Sequence, residues 1–395
     1  MRGIGPFGRP SRVIPKESLR NLLEVLRLRG YTLIGPTVRD QAIVYDEISS
    51  PQELPIGWTD RQGPGTYRLE RREDDAFFGF VVGPQSWKKF FFPPAQRLFQ
   101  ISRDGKEIHT TPDPVQTRKR ALIGVRPCEL RALAIQDRVF TGGAYVDGSY
   151  RRLREDVFIL AVNCGEPAAT CFCASLDTGP QVTDGFDLAI TEVIEGTRHE
   201  FIVHVGSELG ARVLEAVPSR EATDADSATE REIVQRATRR MSRALERSQL
   251  KELLYRNYES PRWDQVAARC LSCANCTMVC PTCFCSTVED VTDLSGDHAE
   301  RRRLWDSCFT MDFSYIVGGS VRASTRARYR HWLTHKLATW QDQFGVIGCV
   351  GCGRCITWCP VGIDLTEEVA ALRGRESPDG GSGAIQENHH DRTES

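Results

Sequence analysis

The sequence predicts an α+β protein in which a mixed α/β domain is followed by a mainly α-helical, cysteine-rich domain. In the first half, short apolar runs alternate with Gly and Pro, as strands and turns do. The second half holds eleven of the fifteen cysteines and a stretch with apolar residues at helical spacing. A chain of 395 residues, with 40% hydrophobic and 26% charged residues, is long enough to form two or three such domains.

The first predicted domain covers residues 1–220 and begins with a helix over 15–29. Four apolar runs after this helix predict short strands, at 31–34, 41–45, 65–69 and 76–82. A βαβ unit follows, with a strand over 121–125, a helix over 127–139 and a strand over 157–162. The domain is expected to end with a hairpin, whose strands cover 188–194 and 201–205.

A helical connector is predicted over residues 221–260, between the two domains. Residues 221–229 are small and polar, and apolar residues then recur at helical spacing among Arg and Lys. The cysteine-rich domain is expected over 261–372. Residues 373–395 have almost no apolar side chains, which predicts a disordered tail.

Composition narrows the classes of function. The formal net charge is −2 and no run of 18 apolar residues occurs, so the sequence predicts neither a nucleic-acid-binding protein nor a membrane span. The first residues lack the apolar core of a signal peptide, and a cytoplasmic location is expected. An odd number of cysteines without an export signal favours metal binding or thiol chemistry over a disulfide framework.

Two copies of one cysteine motif lie in the second half. Each reads C-x2-C-x2-C-x3-C-P, over 270–281 and 349–360. In two-cluster ferredoxins the first three cysteines of such a motif bind one [4Fe-4S] cluster, and the fourth binds the other. The predicted ligands of one cluster are Cys270, Cys273, Cys276 and Cys359, and those of the other are Cys349, Cys352, Cys355 and Cys280. Structural zinc is a poor alternative, because it usually takes two C-x2-C pairs separated by about a dozen residues or more.

The two motifs are joined by 68 residues, far more than the short linker of a small two-cluster ferredoxin. Apolar residues over 324–343 recur at i, i+3, i+4 spacing and predict a helix, so an α-helical ferredoxin-like two-cluster domain is expected. The stretch between Asp312 and Asp342 contains no acidic residue. Its basic residues are expected to neutralise the clusters or to dock a partner: Arg322, Arg326, Arg328, Arg330 and Lys336. Nucleic-acid binding is the weaker alternative, because the chain as a whole is not basic.

The other seven cysteines are assigned less clearly by their spacing. Cys128 and Cys164 follow the two strands of the predicted βαβ unit, and Cys171 and Cys173 lie in a Thr-Cys-Phe-Cys sequence that recurs at 282–285. A third metal or cluster site, a redox-active thiol pair and ordinary packing are all compatible with these four. The helix N-terminus at Cys128 is expected to stabilise a thiolate. Three more are expected to pack around the cluster of the first motif, with metal ligation as the alternative: Cys283, Cys285 and Cys308.

The sequence lacks clear catalytic and nucleotide-binding patterns. It contains no Walker A sequence and no convincing Ser-His-Asp or paired-carboxylate arrangement. Gly3, Gly5 and Gly8 have the spacing of a dinucleotide-binding loop, but no predicted strand precedes them. His331 and His335 lie four residues apart without the Glu of a zinc-protease motif. We therefore expect the chain to carry electrons rather than to make or break bonds.

Five segments resemble the beta, iron–sulfur subunit of cytoplasmic NAD(P)-linked nickel–iron hydrogenases, or sulfhydrogenases, and also the A subunit of anaerobic sulfite reductase. They are GVRPCELRAL at 124–133, CGEPAATCFCASLDTGP at 164–180, CLSCANCTMVCPTCFC at 270–285, RLWDSCFTMDFS at 303–314 and RYRHWLTHKLATWQDQFGVIGCVGCGRCITWCPVGID at 328–364. The ferredoxin motif alone is generic, whereas WDSCF and GCVGCGRC are specific. The resemblance is clear over residues 120–365.

The resemblance implies a non-catalytic electron-transfer subunit of a heteromeric complex. It would relay electrons between a flavin subunit that handles NAD(P)H and a catalytic subunit, with a nickel–iron hydrogenase or sulfur reductase preferred to a sirohaem sulfite reductase. The flavin and the catalytic centre belong to other chains in such complexes, and the eight motif cysteines correspond to the cluster ligands. The alternative is a cysteine-based disulfide or polysulfide reductase fed by its own ferredoxin domain.

Overall fold

The structure is a computed structural model that describes residues 12–112 and 118–374. Two predictions fall on other residues. The glycine pattern at Gly3, Gly5 and Gly8 lies outside the described residues, as does the predicted tail apart from Arg373 and Gly374.

The order of the elements follows the predicted division into a strand-rich first part and a helix-rich second part. The strands are β1 (Arg12–Pro15), β2 (Thr32–Arg39), β3 (Ala42–Glu47), β4 (Trp58–Gly63), β5 (Thr66–Arg71), β6 (Ala95–Asp104), β7 (Glu107–Pro112), β8 (Arg120–Val125), β9 (Val157–Val162), β10 (Leu188–Glu195), β11 (Arg198–Val205), β12 (Arg220–Glu221), β13 (Ser286–Thr292), β14 (His298–Trp305), β15 (Tyr315–Ile316) and β16 (Gly319–Ser320). The helices are α1 (Ser18–Leu28), α2 (Pro127–Thr141), α3 (Gly148–Arg154), α4 (Glu208–Leu214), α5 (Asp224–Arg240), α6 (Leu250–Arg256), α7 (Arg262–Ala267), α8 (Asn275–Met278), α9 (Thr325–Thr334), α10 (Trp340–Phe344), α11 (Arg354–Thr357) and α12 (Leu365–Arg373).

The largest sheet in this part of the chain has eight strands in the order β12-β1-β11-β10-β9-β8-β2-β3. Its centre is parallel, because β10, β9, β8 and β2 run in the same direction. The outer pairs are antiparallel, including the predicted hairpin of β10 and β11. The first part of the chain is therefore the mixed α/β domain that the sequence predicts.

Helices cover both faces of this sheet, so its central strands are buried on both sides. Successive residues of β9 alternate between two cores, with Phe158 and Leu160 in one and Ile159 and Ala161 in the other. Helices α1 and α4 contribute to the first core, and α2 and α3 to the second. A strand buried on both faces needs a continuous apolar run, which explains why VFILAV was recognisable in the sequence.

The predicted βαβ unit is formed by β8, α2 and β9, and its two strands are parallel neighbours. Their carboxyl ends therefore meet at one edge of the sheet, which is where open α/β sheets usually bind ligands. Cys128 lies in the first turn of α2, directly after β8, and Cys164 lies two residues after β9.

The apolar run at 76–82 does not form the strand that the sequence predicts. Side chains satisfy its backbone instead of a neighbouring strand. Arg126 donates to the carbonyl oxygens of Phe78 and Phe80, each at 2.7 Å, and Glu192 accepts from the N–H groups of Phe77 and Phe78. Because its polar groups are paired in this way, the run is a buried loop without strand pairing.

A second sheet, of four strands in the order β13-β14-β6-β7, was not predicted. Strands β13 and β14 form a hairpin inside the spacer between the cysteine motifs, and β14 pairs with β6 from the first part of the chain. The spacer is thus only partly helical, although its predicted helix at 324–343 is present as α9, a π-helical turn at His335–Thr339 and α10.

The connector predicted as helical over 221–260 is not continuous. Helix α5 begins at a capping box between Thr223 and Asp226 and ends at Arg240, and α6 begins only at Leu250. Between them the chain runs beside the 171–175 segment, where the Leu245 N–H donates to Ser175 Oγ at 2.9 Å. These contacts with the first part of the chain explain why the helix stops.

Candidate metal centres

The two cysteine motifs fold in the same way. In the first, the Ser272 N–H points at Cys270 Sγ at 3.4 Å, and in the second the Gly351 N–H points at Cys349 Sγ at 3.5 Å. Each motif then enters a one-turn helix, α8 or α11, and the two helices pack against each other. Backbone N–H groups aimed at sulfur favour thiolates over thiols, because they stabilise the charged form.

Two glycines hold the second motif against the Thr-Cys-Phe-Cys segment at 170–173. Gly351 and Gly353 have φ values of 62° and 74°. A Cβ at Gly351 would lie 2.6 Å from the Cys173 nitrogen, and one at Gly353 would lie 2.4 Å from the Thr170 oxygen. No larger residue fits at either position, so this close approach explains two of the three glycines of the GCVGCGRC phrase.

One cavity, which we call the outer cavity, lies where the end of the second motif meets the start of the first. Its lining contains the predicted ligands of one cluster, together with Cys355 and a group of aromatic and aliphatic side chains: Cys270, Cys273, Cys276, Cys359, Leu271, Ala274, Phe309, Tyr329, Trp332, Pro360, Val361 and Ile363. Cys273 is exposed, as are Leu271 and Val361 at 63% and 39% of their surfaces. The outer cavity is therefore close to solvent.

A second cavity, the inner cavity, is lined by the other predicted set of ligands and by one charged side chain. Its residues are Phe172, Cys280, Pro281, Thr282, Lys336, Cys349, Val350, Cys352, Gly353 and Cys355. The structure thus brings the fourth cysteine of each motif to the first three of the other motif. Cys355 lines both cavities, so the two candidate centres are neighbours.

Lys336 is the charged group of the inner cavity, and it is 3% exposed. Its Nζ lies 3.2 Å from Cys280 Sγ, 3.1 Å from the Gly348 oxygen and 3.7 Å from Cys283 Sγ. Burial alone would lower the pKa of Lys336, but the neighbouring sulfurs raise it above the usual value for lysine. A hydrogen bond from Cys283 and the charge of Lys336 lower the pKa of Cys280, so a thiolate is favoured at this position.

Cys283, Cys285 and Cys308 were expected to pack around the first motif. Cys283 hydrogen-bonds Cys280, and Cys285 hydrogen-bonds Cys308. The bond from Cys308 lowers the pKa of Cys285 to about 7. A second buried ammonium, that of Lys88, donates to the Cys283 carbonyl oxygen at 3.0 Å and lies over the Trp305 ring at 3.9 Å. No motif marks Lys88 in the sequence.

Among the basic residues of the spacer, Lys336 lines the inner cavity, whereas two of the arginines pair with acidic side chains. Arg326 pairs with Glu259 at 2.8 Å and with Asp264 at 3.2 Å, and Arg330 pairs with Glu259 at 3.0 Å. These acids lie outside the stretch in sequence but beside it in space. Cluster neutralisation or partner docking by these arginines therefore stays a prediction.

The four remaining cysteines are all buried and lie together at the carboxyl edge of the large sheet: Cys128, Cys164, Cys171 and Cys173. Three of them share one apolar cluster with Cys352 of the second motif. Burial raises the pKa of Cys128 well above the ordinary value for a thiol. Burial therefore favours the neutral thiol at Cys128 in the metal-free protein, although this helix N-terminus was expected to stabilise a thiolate.

A single metal ion finds no ready site. In residues 12–112 and 118–374, no three His, Cys, Asp or Glu side chains converge on a point where one ion could bind. His331 and His335 stack with ring centroids 5.6 Å apart, and His335 hydrogen-bonds Gln343. The ligands of a cubane each bind a different iron and lie farther apart, so the two cavities fit clusters better than zinc.

Comparison with known proteins agrees with this geometry. Residues 269–363 match the family model of a 4Fe-4S dicluster domain. The chain is 32% identical to the sulfhydrogenase 2 subunit beta of Pyrococcus furiosus over 342 residues, which are 86% of this chain and 91% of that protein. No solved structure matches the chain.

The cysteine-rich region therefore carries two [4Fe-4S] clusters. The donor set fits this cofactor, because eight thiols line two adjoining cavities and a buried ammonium offsets part of the negative charge of one site. None of the described helices has both the length and the apolarity to cross a membrane.

Proposed function

The chain belongs to the sulfhydrogenase beta-subunit family, and we propose that it relays electrons between an NAD(P)H-oxidising flavin subunit and a catalytic nickel–iron subunit. The observation that carries this proposal is the pair of adjoining cysteine-lined cavities in a chain that resembles such a subunit over nine-tenths of its relative's length. A nickel–iron partner is preferred to a sirohaem partner because the relative is a sulfhydrogenase. We place the complex in the cytoplasm.

The ligands of the two clusters follow the crossed pattern. Cys270, Cys273, Cys276 and Cys359 hold the outer cluster, and Cys280, Cys349, Cys352 and Cys355 hold the inner one. The shared lining at Cys355 supports this assignment, because crossed ligation requires the two sites to be adjacent. The packing of α8 against α11 supports it as well, since each helix leads to the fourth cysteine of its motif.

Bound clusters would act as one-electron carriers, and the residues around the two cavities would determine where electrons enter and leave. Phe309, Tyr329 and Trp332 wall the outer cavity and keep water from its inner side. The open side is formed by Cys273 and the exposed Leu271, which gives a partner protein close access to the sulfurs. Among the residues that line the inner cavity, Lys336 is the only cation.

The test is the intact complex, purified without oxygen through an affinity tag on this chain. We expect nickel and flavin in the purified material, and we expect NADH or NADPH to produce the paramagnetic signals of reduced clusters. Sirohaem in place of nickel would move the chain to a sulfite-reducing complex. Clusters that dithionite reduces but neither pyridine nucleotide reduces, in a complex without flavin, would overturn the proposal.

A thiol-based reductase at the 128–173 cysteines finds little support. Such chemistry needs an accessible thiolate, whereas these four thiols are buried and burial raises the pKa of each. We therefore assign no catalytic residue to this chain.

A further inference from the structure

We propose that Cys128, Cys164, Cys171 and Cys173 bind a third [4Fe-4S] cluster, next to the inner one. This site goes beyond the two clusters of the dicluster domain, because all four residues lie before residue 269. The proposal is independent of which partner subunits the complex contains.

The fold brings the four thiols together from three separate segments. Cys128 is held by the first turn of α2 and Cys164 by the chain leaving β9, and these two strands are adjacent and parallel. Cys171 and Cys173 lie on a segment that is fixed against the second motif, where the Phe172 N–H donates to the Gly351 oxygen at 2.9 Å. The positions are thus set by rigid elements and not by a free loop.

The four thiols are close neighbours that do not touch, as the ligands of a cubane are. Cys128, Cys171 and Cys173 pack in one buried cluster. The Cys164 N–H donates to the Pro180 oxygen at 3.0 Å, and a Cβ at the adjacent Gly179 would lie 3.1 Å from Cys173 Sγ, so Cys164 lies beside this cluster. None hydrogen-bonds another within the part of the chain that the structure describes; their sulfurs contact Met241 Sδ at 3.9 Å, the Cys352 oxygen at 4.0 Å and Arg126 at 3.8 Å. Thiolates that share one iron approach more closely, whereas cubane ligands each bind their own iron.

A buried positive charge faces this group without a matching anion. Arg126 is 2% exposed, and its guanidinium contacts Cys164 Sγ while its Nε has no hydrogen-bond partner. Among the described residues no carboxylate forms an ion pair with Arg126. The buried carboxylate of Asp60 accepts hydrogen bonds from Gln62 and from the Val81 N–H instead. A buried cation normally has a counter-charge. A cubane with four thiolates, of net charge about −2, would provide it.

The third site would extend the electron path. Cys171 Sγ lies 4.0 Å from the carbonyl oxygen of Cys352, one of the inner-cluster ligands. The three sites therefore form a row from the outer cavity, through the inner cavity, to the edge of the large sheet. An electron entering at either end of this row could reach the other end.

Iron and acid-labile sulfide in the anaerobically purified full chain test the proposal. Three cubanes require about twelve irons per chain, and two require about eight. The double variant Cys171→Ser/Cys173→Ser should lose about four irons and one third of the cluster signal in Mössbauer spectra. Cys308→Ser is the matched control, since it is an equally buried thiol outside the proposed set and should retain the wild-type iron content.

The iron content of the wild-type chain tests the proposal even if the double variant does not fold. About eight irons in the wild-type chain would overturn the proposal while leaving the proposed relay intact. About ten irons, or zinc with eight irons, would overturn the cubane in favour of a two-iron cluster or a single ion. Retention of about twelve irons in the folded double variant would overturn the ligand assignment.

Discussion

The inner and outer cavities are built from the same motif and differ in what surrounds the sulfurs. The outer cavity has exposed Cys273 and a wall of apolar rings, and its Cys359 also lines a separate groove of about 650 Å³. None of the cysteines of the inner cavity is exposed, and Lys336 contributes a buried charge to it. One helical segment makes both walls, because Tyr329 and Trp332 of α9 face the outer cavity and Lys336 of the π-helical turn faces the inner one.

The motif therefore determines the kind of cofactor, whereas the residues around each cavity determine the role of each centre. An exposed cluster can exchange electrons with another protein. A buried cluster beside an ammonium is tuned by that charge and is shielded from solvent. The second motif supplies three of the four inner-cavity ligands and is called the inner motif from this point. It is also anchored to the first part of the chain, where Arg354 donates to the oxygens of Gly83 and Gln85 and pairs with Glu129.

The largest expected effect comes from breaking the crossed ligation. Cys280→Ser should remove or alter the inner cluster, with a loss of up to about four irons per chain, although Cys280 belongs to the first motif. Cys359→Ser should instead affect the outer cluster. Paramagnetic resonance of the reduced chain and iron analysis would measure both effects.

The matched control for this pair is Cys283→Ser, which alters the thiol that hydrogen-bonds Cys280 but removes no proposed ligand. It should keep both clusters. If Cys280→Ser and Cys359→Ser each removed the cluster of their own motif, the crossed assignment would be wrong.

The next effect concerns the anchor of the inner motif. Glu129→Gln leaves the fully buried Arg354 without its anionic partner, and breaking such a pair costs about 3–5 kcal/mol of unfolding free energy. Glu129 also accepts from the backbone N–H of Trp87 at 3.0 Å. The side-chain oxygen of Gln can accept the same bond, so the variant removes only the charge. Thermal unfolding under anoxic conditions would measure the change.

Glu259→Gln is the contrasting variant on the outer side. Its carboxylate pairs with Arg326 and Arg330 in solvent, so the unfolding midpoint should hardly change. Equal destabilisation by the two variants would remove the distinction between an anchored inner motif and a solvent-facing outer region.

A smaller effect is expected on reduction potential. Lys336→Met should lower the potential of the inner cluster and leave that of the outer cluster unchanged, because reduction adds negative charge that the ammonium stabilises. A redox titration followed by paramagnetic resonance would resolve the two. Lys251→Met, which removes an ammonium paired with Asp342 near the surface, is the control and should shift neither. Equal shifts of both clusters by Lys336→Met would contradict a local role.

The fold was predictable where the pattern is local. The βαβ unit and the β10–β11 hairpin have apolar strands whose partners follow closely in sequence. The sheet of β6, β7, β13 and β14 was missed because it is mostly exposed, so its strands carry weak apolar patterning, and β6 pairs with a strand nearly 200 residues later. No local signal specifies such a pairing.

The part of the site that depends on the spacing of cysteines along the chain was predictable. The cysteine spacing alone predicted both sets of thiols that line the cavities. Lys88 was missed because it approaches the cysteines from a distant segment and stands in no recognisable motif. Arg126 stands in the GVRPCELRAL segment, but its contact with Cys164 was missed because the two residues are 38 positions apart in sequence. The raised pKa of Cys128 was missed for a related reason, because burial is a tertiary property and the helix N-terminus is a local one.

The smallest effect is expected at His331, which lies on α9, the same helix as Tyr329 and Trp332 of the outer cavity. Burial, together with the charge of Arg322, lowers the pKa of His331 to about 4, so the folded chain keeps this ring neutral. An unfolded histidine binds a proton near pH 6.5, and stability that is present above this pH is therefore lost as the pH falls toward about 4. His331→Asn should weaken this dependence. The measurement is the difference in thermal midpoint between wild type and variant at pH 7.5 and pH 5, in which acid damage common to both cancels. If the two chains lost stability in parallel between these pH values, the neutral His331 would contribute nothing to the acid sensitivity of the wall between the two centres.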